Sequence, residues 1–223
     1  MSSVIPVLTI DGPSGSGKGT VSRAVARRLG WHFLDSGAIY RSLAIAVLRA
    51  GLPFEDEAAI ARLAERMDLA FTAKDPPRVL LAGEDIAGEI GNETTGNAAS
   101  RIAASRPVRQ ALLDKQRGFR QAPGLVADGR DMGTVVFTDA AHKVFLTASA
   151  EVRAGRRLKQ LKEKGLDVNL ASLTREIEER DRRDRERAEA PLVMAEGAVL
   201  IDSSDMNIQQ VIDRVMAFVQ PAG

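Results

Sequence analysis

The fold is decided by the stretch VIPVLTIDGPSGSGKGT, residues 4–20. Residues 4–11 are rich in β-branched side chains, which favours a buried strand. Glycines follow at positions 12, 15 and 17, and residues 17–29 then carry small or apolar side chains at helical spacing. A strand, a glycine-rich turn and a helix in this order predict the start of a parallel sheet with helices on its faces.

The glycine-rich turn has the composition of a phosphate-binding loop. Glycines allow consecutive backbone N–H groups to point at one anion, and the N-terminus of the following helix adds a partial positive charge. Lys18 is spaced to reach the β- and γ-phosphates of a nucleotide. The expected ATP-binding residues of this loop are Gly12, Pro13, Ser14, Gly15, Ser16, Gly17, Lys18, Gly19 and Thr20.

The position after Lys18 departs from the usual form of this loop. A Ser or Thr normally stands there as a magnesium ligand, whereas this chain has Gly19 and places its hydroxyl one residue later, on Thr20. We therefore expect no direct protein ligand, and a Mg²⁺ ion held mainly by phosphate oxygens and water. Asp35 and Asp128 follow predicted strands and are candidates for the second shell, although either could equally cap a helix.

Composition excludes several classes of protein. The chain has no cysteine, which rules out disulfides, thiolate nucleophiles and cysteine-based metal sites, and its two histidines argue against a multi-histidine centre. A net charge of +1 argues against a general nucleic-acid-binding protein. The longest apolar run, residues 43–48, is too short to span a bilayer, and no basic segment precedes an apolar one at the N-terminus. We expect a cytoplasmic protein without membrane contact.

The remaining pattern predicts one α/β core with an insertion. Further core strands are expected at residues 31–34, 124–128, 143–147 and 198–202, and helices at 36–50, 56–66, 150–163, 170–188 and 206–219. Between them, short antiparallel strands are expected at 69–72, 78–82 and 85–87 with a turn at 74–77, then a polar loop at 92–97 and helices at 97–104 and 107–121. The expected division is a core of 1–54, 106–150 and 188–223, an inserted domain of 55–105, and a lid with an Arg-rich helix at 151–187.

The helix at 170–188 carries a charged stripe. Its members, at spacings of four and three, share one face: Leu173, Ile177, Arg180, Asp184 and Arg187. Twelve of the 13 residues from 175 to 187 are charged, six of each sign. Spacing alone leaves two interpretations open. The helix is either a solvated surface with exposed ion pairs, or it runs from the core into a polar ligand site, because buried charges need partners.

Several stretches together resemble the bacterial cytidylate kinases. They are the Lys-Gly-Thr sequence at 18–20, LDSGAIYR at 34–41, ETTGNAAS at 93–100, ADGRDMGT at 127–134 and ERDRRDRER at 179–187. The resemblance runs from the first strand into the last helix. It implies an α/β fold of the P-loop nucleoside monophosphate kinase type, in which a parallel β-sheet is flanked by helices. It also implies that residues 55–105 form a small α+β acceptor-binding domain.

The resemblance also implies which residues bind CMP. Arg180 and Asp184 match ribose contacts, while Arg41, Arg130 and Arg187 match phosphate contacts. Asp131 can only accept hydrogen bonds when ionised, which suits the exocyclic amine of cytosine and not the carbonyl of uracil. The implied CMP site is Ser36, Arg41, Ser100, Arg109, Arg130, Asp131, Arg180, Asp184 and Arg187, and the implied catalytic residues are Lys18, Arg41, Arg130 and Arg187.

The helix at 150–163 is expected to belong to the lid. Ala154, Leu158 and Leu161 form an apolar face, while Arg153 and Arg157 share a second face with Lys164. An ordinary basic helix surface is the alternative. As a lid over ATP, this helix would bring Arg157 to the nucleotide, and residues 162–169 would form a loop.

These expectations define a reaction, ATP + CMP → ADP + CDP, with Mg²⁺, with dCMP as a further acceptor, and carried out by a monomer. A kinase of the same fold acting on another nucleotide or on a metabolite such as shikimate is the nearest alternative. A P-loop switch or a nucleic-acid-dependent ATPase is the alternative from another class. The chain lacks the Asn-Lys-x-Asp motif of guanine readers, and its aromatic content is only 4%, which leaves few side chains to stack bases.

Overall fold

The computed structural model describes residues 5–72, 78–163, 165 and 168–220. The strands are β1 (Val7–Asp11), β2 (His32–Asp35), β3 (Leu69–Phe71), β4 (Val79–Leu81), β5 (Glu84–Asp85), β6 (Leu125–Gly129), β7 (His142–Thr147) and β8 (Val199–Asp202). The helices are α1 (Lys18–Leu29), α2 (Ser36–Arg49), α3 (Glu57–Arg66), α4 (Ala87–Ile90), α5 (Glu93–Ile102), α6 (Arg106–Arg117), α7 (Ala150–Glu163), α8 (Leu170–Glu186) and α9 (Ile208–Val219).

The chain divides into two compact units. The larger unit comprises Met1–Leu34 and Phe119–Gly223, and the smaller unit is Asp35–Gly118. These bounds differ from the division expected from the sequence, which sets the insertion at 55–105. The functional division into core, acceptor-binding domain and lid stays a prediction.

The larger unit is built on a five-stranded sheet in the order β2-β6-β1-β7-β8. Strand β1 pairs in parallel with β6 and with β7, and β7 pairs in parallel with β8. Every residue of β1 and β6 is buried, as expected for central strands covered on both faces. Apolar side chains of β1, α1 and α9, such as Ile10, Val25 and Val215, form one core cluster. The predicted parallel α/β fold is confirmed.

The parallel order places the functional segments at one edge of this sheet. Ile10 and Asp11 at the end of β1 lie opposite Asp128 and Gly129 at the end of β6. The chain leaves both strands at their carboxyl ends, where ligands bind in open α/β sheets. The phosphate-binding loop and the segment beginning at Asp128 are therefore neighbours.

The smaller unit combines helices with an antiparallel sheet in the order β3-β4-β5. The carboxylate of Asp35 accepts a hydrogen bond from the backbone N–H of Ala38 and caps α2, and Asp56 caps α3 in the same way. The expected turn at residues 74–77 lies outside the described residues.

Two local expectations are wrong, and one feature was not predicted. The polar residues at 92–97 do not form a loop, because Asn92 is the N-cap of α5 and Glu93 already belongs to the helix. The helix expected at 107–121 begins at Arg106 and ends at Arg117. Beyond β6 the chain forms a π-helical turn, Met132–Val136, which hydrophobic periodicity does not reveal. None of the described helices is both long and apolar enough to cross a membrane.

Candidate active site

The phosphate-binding loop owes its shape to glycines with positive φ. Gly15 and Gly17 have φ of 76° and 93°. Gly12 has a φ of 150°, and a Cβ atom built on it would lie 2.0 Å from the carbonyl oxygen of Leu146 in β7. Only glycine allows β7 to approach this closely, so Gly12 fixes the start of the loop against the sheet.

Lys18, the first residue of α1, is folded against its own loop. The residue is 5% exposed, and Nζ donates a hydrogen bond of 2.8 Å to the carbonyl oxygen of Pro13. Burial, together with the positive charge of Arg130, lowers the pKa of Lys18 to about 7, although Asp128 and Asp11 act in the opposite direction. Because Lys18 is buried and has a positive charge nearby, an anion that binds there would stabilise its charged form.

Two arginines of α7 donate hydrogen bonds to carbonyl oxygens of the phosphate-binding loop. Arg153 donates from Nη1 to Ser14 O at 2.9 Å, and Arg156 donates from Nη1 to Ser16 O at 3.3 Å. Arg156 is itself fixed at the end of β8, where Nη2 donates to Ser203 O at 2.6 Å. With their carbonyl oxygens held in this way, the loop's N–H groups are free to face a phosphate.

Asp11, at the end of β1, organises the segment after β6. Its two carboxylate oxygens accept hydrogen bonds from the backbone N–H groups of Met132 at 2.9 Å and Gly133 at 2.8 Å. Burial raises the pKa of Asp11 to about 6, although these two hydrogen bonds act to lower it. A carboxylate of β1 thus holds the first turn after Arg130 and Asp131 in place.

The segment at the end of β6 carries the predicted residues Asp128, Arg130 and Asp131. Arg130 Nε donates to Asp184 Oδ2 of α8 at 3.1 Å, and both carboxylates, Asp131 and Asp184, are nearly fully buried. A Cβ atom built on Gly19 would lie 3.3 Å from Asp128 Oδ2. The carboxylate of Asp128 therefore lies beside the backbone position where related loops carry their hydroxyl ligand.

The charged stripe of α8 is less exposed than the rest of that helix. Leu173 and Asp184 are buried, while Ile177, Arg180 and Arg187 are half-buried. The charge of Arg180 contributes to the lowered pKa of Lys18, which places Arg180 near the donor loop. The solvated-helix interpretation therefore does not describe this face.

Arg187 is the C-cap of α8, and its Nε donates to Ala190 O at 2.7 Å.

Arg157, the predicted ATP contact of α7, is half-buried and donates to Gln160 Oε1 at 3.4 Å on the same helix. Lys164, expected on the same basic face, lies outside the described residues.

The smaller unit carries the other predicted acceptor residues. Ser36 and Ser100 are buried, and Ser36 Oγ donates to Gln116 Oε1 at 2.7 Å. Arg109 lies over the ring of Tyr40, with 6.0 Å from its guanidinium carbon to the ring centroid. Arg41 is half-buried on α2, next to that tyrosine in sequence. All of these roles in binding stay predictions.

The sequence interpretation did not assign three residues of this site the contacts that they make. Asp11, Arg153 and Arg156 act on the backbone of the loop and of the segment after β6, and the bonds they make connect residues more than 100 positions apart. An acid ending a buried strand directly before the glycines was a usable signal for Asp11. Within the described part of the chain, no group of three or more His, Asp or Glu side chains is arranged to hold a metal ion.

A glycine-rich loop between β1 and α1, a buried lysine and a parallel sheet define a P-loop nucleotide-binding protein. The cytidylate kinase family model matches residues 8–221. The cytidylate kinase of Methylococcus capsulatus is 66% identical over 220 residues, covering 99% of each chain. That of Photobacterium profundum is 55% identical and covers 100% of this chain and 98% of its own, and that of Bordetella bronchiseptica is 57% identical over 96% and 94%. This chain belongs to the cytidylate kinase family, and the resemblance found in its sequence is confirmed.

Proposed function

We propose that the chain transfers the γ-phosphoryl group of ATP to the phosphate of CMP, giving ADP and CDP. The observation that carries this proposal is the identity of 66% over 99% of both chains with a curated cytidylate kinase. The buried Lys18 at the phosphate-binding loop, with Arg130 close by, supports it independently, because two anionic substrates must be brought together there.

The nucleophile in this reaction is an oxygen of the acceptor phosphate. A phosphate monoester has a second pKa of about 6 and is largely dianionic at neutral pH, so the reaction needs no general base. The barrier is instead the repulsion between two anions and their alignment for in-line transfer. Lys18 and the loop amides hold the donor, and Arg41, Arg130 and Arg187 offset the charge on the transferred group.

The acceptor base is read by Asp131. This carboxylate is nearly fully buried and belongs to the segment that Asp11 holds in place. An ionised carboxylate accepts a hydrogen bond from the exocyclic amine of cytosine and repels the carbonyl that uracil presents there. Ser100 and Arg109 complete the base contacts, and Arg180 and Asp184 hold the ribose.

A magnesium ion fits the position of Asp128. The carboxylate Oδ2 lies 3.3 Å from the point where a Cβ atom on Gly19 would stand, with Arg23 Nη2 at 3.7 Å from the same point, and a hard oxygen donor is what Mg²⁺ prefers. Asp128 would hold the ion through water, with Asp35, which caps α2, as a further second-shell candidate. When bound, the ion neutralises charge on the phosphate oxygens of ATP.

The finer properties of the enzyme are part of the same proposal. The acceptor range includes dCMP, the protein acts as a cytoplasmic monomer, and nucleic acids and membranes are not its partners. Arg157 and the rest of α7 act as a lid over ATP. Closure of the lid excludes water, which would otherwise accept the phosphoryl group.

The test is a steady-state assay with a panel of acceptors. ADP formation is measured with MgATP and CMP, dCMP, UMP, AMP or shikimate in turn, with water as the only acceptor in the control. We expect the highest kcat/KM with CMP, with dCMP second. Preferential turnover of shikimate or AMP, or hydrolysis that no acceptor stimulates, would contradict the proposal.

A further inference from the structure

The inference concerns a buried ion pair that the reaction chemistry does not use. Arg153 of α7 and Asp181 of α8 are each 3% exposed. Arg153 Nη1 donates to Asp181 Oδ1 at 3.1 Å, and Nη2 donates to Asp181 Oδ2, so the guanidinium grips both carboxylate oxygens. A two-point contact of this kind fixes orientation as well as distance.

The same guanidinium also binds the donor loop. Nη1 donates to Ser14 O at 2.9 Å, and Nε donates to Ala148 O at 2.9 Å, between β7 and α7. A Cβ atom built on Gly15 would lie 3.3 Å from the Cβ of Arg153, so the loop packs directly against this side chain. Arg153 therefore connects the backbone of the ATP loop to a carboxylate of α8.

Helix α8 carries the acceptor side of the proposed site. Asp181 directly follows Arg180 and precedes Asp184 by one helical turn. Asp184 in turn binds Arg130 at 3.1 Å, at the end of β6. A continuous series of contacts thus runs from Ser14 through Arg153 and Asp181 to the residues expected to hold the ribose and the acceptor phosphate.

We propose that the Arg153–Asp181 ion pair couples the two substrate sites, so that ATP bound at the loop strengthens the binding of CMP at α8. This proposal rests on the proposed function. The two-point contact between the buried side chains fixes their relative orientation, which makes the link stiff. Movement of the Ser14 peptide towards a phosphate is therefore transmitted to α8 and not lost in side-chain motion. Arg153 and Asp181 are positioning residues that touch neither substrate.

Arg156 provides a matched control for Arg153. Both arginines lie on α7 and donate to a carbonyl oxygen of the loop, but Arg156 is anchored to Ser203 at the end of β8 and, among the described residues, makes no hydrogen bond to α8. Arg153→Lys and Arg156→Lys keep the charge and remove the guanidinium fork. Only the first substitution removes the two-point contact with α8.

The experiment measures the dissociation constant of CMP by calorimetry, alone and with saturating β,γ-methylene ATP and Mg²⁺. For the wild-type protein we expect CMP to bind at least about fivefold more tightly when the analogue is present. The ratio of the CMP dissociation constant without the analogue to that with it should fall to about one in Arg153→Lys and in Asp181→Asn. In Arg156→Lys this ratio should keep its wild-type value. The double variant Arg153→Lys/Asp181→Asn should add no further loss.

The coupling proposal would be overturned by equal ratios in the wild type and in Arg153→Lys, or by a wild type on which the analogue has no effect. The proposed function would stand in either case, provided that the wild type still turns over CMP. Absence of CMP turnover would overturn the proposed function itself. Should the Arg153 variant fail to fold, hydrogen exchange of the wild type decides. The ATP analogue alone should slow exchange across Leu170–Glu186, and unchanged exchange there would contradict the proposal.

Discussion

The donor loop and the acceptor residues of the smaller unit are built in different ways. The donor loop is a contiguous stretch whose backbone conformation is imposed by Gly12, Gly15 and Gly17. The acceptor residues of the smaller unit lie on separate helices and act through side chains, as Ser36 on α2 and Ser100 on α5 do. Backbone amides suit any phosphate, whereas side chains from different elements distinguish one acceptor from another. Changes at the loop should therefore abolish the reaction, and changes at the acceptor residues should alter its selectivity.

The largest effect on activity is expected from Lys18→Met. The substitution removes the cation that faces the transferred phosphoryl group, and loss of one such interaction costs about 100- to 1000-fold. kcat with saturating ATP and CMP should fall by that factor while the circular dichroism spectrum is unchanged. Lys143, near the start of β7 and away from the carboxyl ends of the strands, supplies the control, and Lys143→Met should retain activity. Retained activity in Lys18→Met would contradict the assignment of the loop as the donor site.

The same substitution should change how stability depends on pH. Burial lowers the pKa of Lys18 to about 7 in the native state, whereas in the unfolded chain this pKa has its ordinary value of about 10.5. The unfolded state thus binds more protons between these values, and the unfolding free energy of the wild type gains up to about 1.4 kcal/mol per pH unit from this group. Lys18→Met lacks this gain. The free energy of unfolding of the variant should therefore exceed that of the wild type by the largest amount below pH 7. A pH-independent difference in urea unfolding between the two proteins would contradict this prediction.

The backbone of the loop is tested by Gly12→Ala. The added methyl group would collide with Leu146 O, so we expect a loss of about 3 kcal/mol in unfolding free energy. Gly30→Ala is the control, because Gly30 also has a positive φ of 66° but has open space around its Cβ position. The control should cost about 1 kcal/mol. Equal losses in urea denaturation would show that the close approach of β7 does not matter.

Selectivity should change in Asp131→Ala. Loss of the carboxylate removes the hydrogen bond to the cytosine amine and the repulsion of uracil, and such a contact is worth about 1–3 kcal/mol of discrimination. The ratio of kcat/KM for CMP to that for UMP should therefore fall by about tenfold or more. The rate with saturating CMP should change much less. An unchanged ratio would place base reading elsewhere.

The smallest effect is expected from Ser36→Ala. It removes the hydrogen bond from Ser36 to Gln116 in the smaller unit, which is worth about 1 kcal/mol. The KM for CMP should rise by a few-fold, and the KM for ATP should stay the same. A larger change in the KM for ATP would contradict the separation between the loop and the acceptor residues.

The sequence was sufficient where structure depends on neighbours along the chain. The glycines, Lys18 and the β-branched residues of β1 predict the loop and its flanking elements, and the apolar spacing of Ala154, Leu158 and Leu161 predicts the packed face of α7. It was insufficient where structure depends on contacts between distant residues. Spacing alone could not show that Arg153 is buried against Asp181, since the basic residues of α7 look alike in sequence. It also could not reveal the π-helical turn, whose hydrogen bonds are completed by Asp11 of β1.

The most direct test of the account is to follow the γ-phosphoryl group itself. ATP labelled with ³²P at the γ-phosphate is mixed with the protein and CMP, and the products are separated by chromatography. The account predicts that label leaves ATP and is recovered in CDP. Label recovered only as inorganic phosphate, or remaining in ATP, would contradict it.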